Sequence, residues 1–237
     1  MDDFQTSNPI RFRITGRQRS IIEHVGRYRL TTLEVLGRVI LPGTSRNALS
    51  KIVNRLCLAG LLVKYPLVHP THYFVLGQAA AHLFGAGEHR AVPLGPQSLP
   101  IEYAVLVYAT LSQQPRIRQT TAEILARWPW LPVGLTNSPH CFDERNQVLE
   151  LVRVDLGGPA DYVARKCAAD VTCRRQFAEF APLVAQQRFR LVVVTATPEK
   201  AVAVQQALDR HDWPVGLLMH LSIVPRLLTL LASHPHA

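Results

Sequence analysis

No apolar run in this chain approaches the ~18–20 residues that a membrane-spanning helix needs. Its start, MDDFQTSNPIRFRITGRQRS, holds no apolar stretch of the kind found in secretory signals. Neither a membrane span nor secretion is expected. Cysteine is sparse: Cys57, Cys141, Cys167 and Cys173 form no CxxC pair and are spread along the chain. That fits reduced thiols in the cytoplasm better than a disulfide framework or a zinc site. GxSxG, HExxH, P-loop and GxGxxG motifs are all missing, so the hydrolase, metalloprotease and nucleotide-binding readings they carry have no footing. No metal ligand set and no cofactor is expected.

Acidic residues are outnumbered, 17 Asp and Glu against 26 Lys and Arg, for a net charge of +9. The excess is uneven. Residues 1–90 hold 12 Lys and Arg against 5 acids, whereas residues 91–237 hold 14 against 12. Basic charge gathered in one segment is the electrostatic footprint of a polyanion binder. What the chain has in quantity is core material: 48% of its 237 residues are hydrophobic, which excludes intrinsic disorder and suits one large or two small domains. Residues 86–100, within FGAGEHRAVPLGPQSLP, carry no helix or strand period and read as a linker. The expected organisation is therefore a basic domain over 10–85 and a nearly neutral one over 101–237.

The basic segment reads as three helices followed by a hairpin. Thr15 with Gln18 matches a capping box, and Ile21, Ile22 and Val25 supply an apolar stripe. Thr31-Thr32-Leu33-Glu34 starts a second, short helix that Pro42-Gly43 stops. The third, from Thr44 or Ser45 to about Ala59, alternates two sets at helical spacing. Ala48, Leu49, Ile52, Val53, Leu56 and Cys57 form the apolar face; Arg46, Asn47, Ser50, Lys51, Asn54 and Arg55 form the wet one. Leu61–Tyr65 and His72–Leu76 are strand-like runs separated by Pro66, Pro70 and Thr71. This order is that of a winged helix-turn-helix.

A helix-turn-helix places its second helix in the major groove, where Arg bridges guanine and Asn bridges adenine. The wet face of residues 44–56 carries no acid, unlike an ordinary solvated face with mixed signs. Double-stranded DNA is the expected partner. The predicted contacts are Thr44, Ser45, Arg46, Asn47, Ser50, Lys51, Asn54 and Arg55 on this helix, with Lys64, His69 and His72 on the hairpin. Arg11, Arg13, Arg17 and Arg19 would meet phosphates. The competing reading is a winged helix used only for protein contacts.

Beyond residue 100, helices are expected at 101–126, 160–187, 198–210 and 225–232, and strands at 147–155, 189–195 and 215–223. Strands alternating with helices predict an α/β or α+β sheet domain. Together, the head pattern ITGRQRSIIEHVGRYRLTTLEVL…LSKIVNRLCLAGLL…HYFVLGQAAAHL and the tail resemble the replication-relaxation family of plasmids and integrative elements. The tail is similar to the restriction-endonuclease-like, PD-(D/E)xK, fold, with LPVG (131–134) and LVRVDLGGPADYVARK (151–166) standing at its motif positions.

The resemblance implies a transcriptional regulator on a mobile element, or an accessory protein in plasmid transfer or replication. It also places Val133 and Arg153 where acids would hold a divalent cation. Only Asp155 and Lys166 remain, so the tail is expected to be an inactive scaffold serving dimerisation. An active metal-dependent endonuclease would need those two and a further acid such as Asp143 or Glu150. Asp143, Glu144 and Glu150 are otherwise expected as solvated charge around a turn, His140 and His211 as ordinary histidines, and Trp128 and Trp130 as core or interface anchors.

Overall fold

Thr15 starts the first helix: its hydroxyl accepts from Gln18 N, and the Gln18 side chain accepts from Thr15 N at 2.9 Å. This capping box opens α1 (Gly16–Tyr28), which buries Ile21, Ile22 and Val25. Thr32 caps α2 (Leu33–Val35), which widens into a π-turn at Leu36–Ile40. Ser45 caps α3 (Arg46–Leu58) through Ala48 N at 3.3 Å, and Leu49, Val53 and Leu56 seat that helix on the core.

The hairpin of β1 (Leu62–Val68) and β2 (Thr71–Leu76) follows, then α4 (Gln78–Leu83). β1 runs two residues past Pro66 where the sequence suggested an end. It is an edge strand with a register shift between Pro66 and Val68, and proline is tolerated in such places because no ladder bond needs its missing N–H. Thr31 joins Phe74 by two backbone bonds of 2.9 Å, adding a third backbone segment beside β2.

This computed structural model describes residues 14–83, 85, 87 and 90–233. Its second part holds a five-stranded mixed sheet in the order β3 (Ile117–Arg118), β4 (His140–Asp143), β5 (Val148–Val154), β6 (Phe189–Thr195), β7 (Leu218–Ile223). β4 is antiparallel to both neighbours, and β5, β6 and β7 are parallel. Apolar residues on both faces of β5 and β6 require cover on both sides. α5 (Ser98–Leu111) and α11 (Arg226–Ser233) pack with the face bearing Val152, Val192 and Val194. α8 (Ala160–Arg175), α9 (Phe180–Ala185) and α10 (Pro198–Leu208) pack with the face bearing Leu151, Leu191 and Val193. The chain is thus mixed α/β with a two-stranded and a five-stranded sheet, and among the described residues no helix is long and apolar enough to cross a membrane.

Several elements depart from the sequence reading. The helix expected over 101–126 is two, α5 and α6 (Thr121–Arg127), with Ser112–Arg116 and β3 between them. That over 160–187 also breaks, at Gln176–Glu179. LPVG does not precede a strand directly, since Val133–Thr136 form the short helix α7. α5 begins at Ser98, inside the segment read as a linker, and Leu94 N donates to the Tyr73 hydroxyl at 3.3 Å.

The hairpin has two apolar faces. Leu62, Phe74 and Leu76 complete the core beneath α1 and α3, while Leu67, Tyr73 and Val75 join Tyr103, Leu106, Leu227 and Leu230. One apolar cluster therefore runs from the hairpin into the sheet part of the chain.

Candidate nucleic-acid interface

Residues four apart on a helix stack along one stripe. On α3 this rule separates Arg46, Ser50 and Asn54 from Asn47, Lys51 and Arg55. The first stripe faces the hairpin across a groove of about 500 Å3, whose far wall carries Lys64 and His72. Thr44 lies at its end, and Leu49, Val53 and Phe74 line its depth. Lys64 pairs in register with Phe74 and His72 with Pro66, which sets both on the hairpin face that looks toward α3. The second stripe, Asn47, Lys51 and Arg55, is exposed beside the groove rather than in it.

The other expected contacts are placed separately. Arg17 and Arg19 are exposed on the first turn of α1. Ser45 is exposed, but its hydroxyl is taken up as the α3 cap. His69 sits at the hairpin tip and lines a different hollow, of about 270 Å3, with Tyr103 and Leu230. Arg11 and Arg13 lie outside the described residues.

The electrostatics of this surface are one-sided. Among the described residues, Arg17, Arg19, Arg46, Lys51, Arg55 and Lys64 take part in no ion pair. His72 has its pKa lowered by partial burial and then by the charges of Lys64 and His69, which favours its neutral form. The groove does include one acid that the sequence reading left out. Glu34 lies on its rim, held at 2.9 Å by Arg226 of α11. Arg226 is 192 residues away in the chain, and no local pattern could have announced it.

The sheet part treats its charges differently. Asp143 and Glu150 are 1% and 0% exposed, so they are not the solvated turn residues the sequence suggested. Tyr108 Oη donates to Glu150 at 2.8 Å, and Arg116 and Arg190 approach its carboxylate at 2.8 and 2.7 Å. Burial, then the Glu150 charge, pushes the Tyr108 hydroxyl far above its ordinary pKa. Asp143 accepts from Asn146 N at 3.1 Å and Nδ2 at 2.8 Å, and Arg190 lies 3.9 Å away.

His140 is 1% exposed. Ser138 O, 2.7 Å from Nδ1, can only accept, so Nδ1 carries the proton and Nε2 accepts from Arg174 at 3.2 Å. Burial and then Arg174 lower the His140 pKa to about 3.

Asp155, at the end of β5, is buried with Lys200 3.8 Å away and Gly157 N donating at 3.1 Å. Burial raises its pKa against the opposing pull of Lys200. Lys166 is exposed on α8, its Nζ 5.4 Å from the Tyr162 ring. The cation beside Asp155 is therefore Lys200, which the sequence reading missed, and Arg153 is occupied by Asp170. Trp128 is buried against Phe142, and Trp130 packs on Phe177 and Phe180. Among the described residues no group of three or more His, Cys, Asp or Glu is placed to hold a metal ion. Comparison of the chain with protein-family models, with curated proteins and with solved structures returns no match in any of the three.

Proposed function

We propose that this chain binds double-stranded DNA through the groove between α3 and the β1–β2 hairpin, as a winged helix whose sheet domain is a nuclease-like scaffold. The observation that carries this reading is the charge of the groove and its flanks. Arg46, Lys51, Arg55 and Lys64 there have no carboxylate partner among the described residues, while Arg116, Arg118, Arg153 and Arg190 of the sheet part do. An array of free cations beside Asn and Ser side chains suits phosphate contact and base-edge reading at once. The helix–helix–helix–hairpin order and the Thr31–Phe74 bridge support the winged-helix part.

The five-stranded sheet with helices on both faces supports the scaffold part. Its buried carboxylates are already engaged by Arg116, Arg190 and Lys200, which leaves little capacity for a hard divalent cation. The biological role that follows from the resemblance is transcription control on a mobile element, in the cytoplasm, with an accessory role in transfer or replication as its variant. Two copies acting together would give the half-site symmetry that a single short reading helix lacks. Sedimentation should then show a dimer.

The deciding experiment is a salt titration of binding to a labelled duplex by fluorescence anisotropy. Affinity should fall steeply, log K changing by about −0.9 per log unit of salt for each phosphate neutralised. Absence of binding even at low salt removes the proposal. Supercoiled plasmid incubated with magnesium or manganese should stay intact; cleavage lost in Asp155→Ala would restore the endonuclease reading.

A further inference from the structure

A second cleft, of about 420 Å3, opens where the helical part meets the sheet part. Four guanidinium groups line it: Arg27 and Arg29 at the end of α1, Arg90, and Arg118 on β3. Two carboxylates answer them. Glu123 takes Arg27 at 2.7 Å, and Glu102 takes Arg29 at 3.2 Å together with Arg118. Arg90 forms no ion pair among the described residues. It donates to Gly26 O, and its charge is felt by Arg29 and Arg118. Burial, then those two like charges, pulls its pKa below the ordinary arginine value.

Among the described residues the cleft thus gathers two positive charges in excess, partly withdrawn from water. Such an arrangement is costly until an anion joins it. The planar fork of arginine matches the oxygens of carboxylates and phosphates in pairs. The remaining lining is mostly hydroxyl and amide, including Thr121, Asn137 and Ser138, and no aromatic ring among the described residues lines it to stack a base. The volume lies within the ~300–1,000 Å3 of small-ligand sites.

We infer that this cleft binds a small, doubly charged oxyanion of the phosphate-ester class, held by Arg90 with Arg29 and Arg118. The inference does not rest on the DNA-binding reading, since none of these residues lines the α3 groove. Its walls come from both parts of the chain, so an anion seated there ties the end of α1 to β3 and favours the folded state by mass action.

The test uses the full chain with inorganic phosphate and pyrophosphate as probes, read by calorimetry and by thermal unfolding, with sodium chloride at matched ionic strength as control. A saturable rise in Tm with pyrophosphate, absent with chloride, is expected. Arg90→Gln should weaken pyrophosphate binding by about tenfold or more, because it removes a charged hydrogen-bond donor. Arg90→Lys, which keeps the charge, should weaken it less. Arg29→Gln serves as the independent second variant, and circular dichroism verifies that each is folded.

No saturable binding of either ion up to roughly 10 mM, the millimolar edge of specific affinity, overturns the inference. So does equal affinity in wild type and both Gln variants. A short DNA duplex added in excess supplies the last arm. Pyrophosphate still bound supports a separate site, whereas displacement makes the cleft part of a nucleic-acid surface and overturns it.

Discussion

Arg116 and Arg190 converge on Glu150 beneath the Tyr108 hydroxyl, while Arg46 and Arg55 on α3 meet no carboxylate among the described residues. The side chain is the same and the settings are opposite. Around Glu150, arginine is drawn inside and cancelled by an acid on a neighbouring strand. On α3 it is left outside, with no carboxylate partner among the described residues. A buried pair fixes structure, because removing one partner strands the other in a low-dielectric site. A free surface cation contributes little to folding and remains open to a polyanion. The net charge of +9 is therefore divided by availability as well as by position.

The largest effect should come from emptying the buried centre. Glu150→Ala leaves Arg116 and Arg190 without their acceptor and should cost about 3–5 kcal/mol of stability in urea unfolding. A loss below about 1 kcal/mol would mean that the cluster is not what holds the sheet. On the other side of the comparison, Arg46→Ala or Asn47→Ala should weaken binding to a selected duplex by about 1–3 kcal/mol. Neither should move the unfolding midpoint appreciably, and a marked drop in stability would end the contrast.

A pH series examines both halves together. His24 in the helical part is held neutral to about pH 4 by burial and then by Arg27, and His140 in the sheet part to about pH 3. Their ordinary value is 6.5, so between 6.5 and the carboxylate range the unfolded chain binds protons that the folded chain refuses. Stability present at neutral pH should fall as pH drops through this window. The slope approaches ~1.4 kcal/mol per pH unit for each ring. His140→Gln should reduce that slope, and an unchanged slope would show that the ring is protonated in the fold. The smallest effect belongs to the exposed Arg210–Asp161 pair, where Arg210→Ala should change stability by less than about 0.5 kcal/mol.

The helical part was legible because its signals are local. Thr15 with Gln18, Ser45 ahead of α3, and the two residue sets of that helix all lie within a few positions of what they specify. The charge settings of the sheet part were not. β4 is four residues long, too short for a period to declare itself. Asp143 and Glu150 look solvated in sequence because their burial depends on Arg116 and on Arg190, 34 and 40 positions from Glu150. For the groove, α3 and Lys64 could be read from spacing and charge. The Glu34–Arg226 pair could not, since it forms only once the chain has closed on itself.

That closure bears on synthesis. α11 packs on β1 and α5, and Leu227 and Leu230 belong to the apolar cluster that includes Leu67, Tyr73 and Val75 of the hairpin. A nascent chain halted short of α11 carries all of α3 and both hairpin strands, yet one hairpin face still lacks Leu227 and Leu230 as part of its cover. Until α11 is added, Tyr103 and Leu106 of α5 are left as the cover of that face, and the hairpin is completed by a helix nearly 150 residues further along the chain.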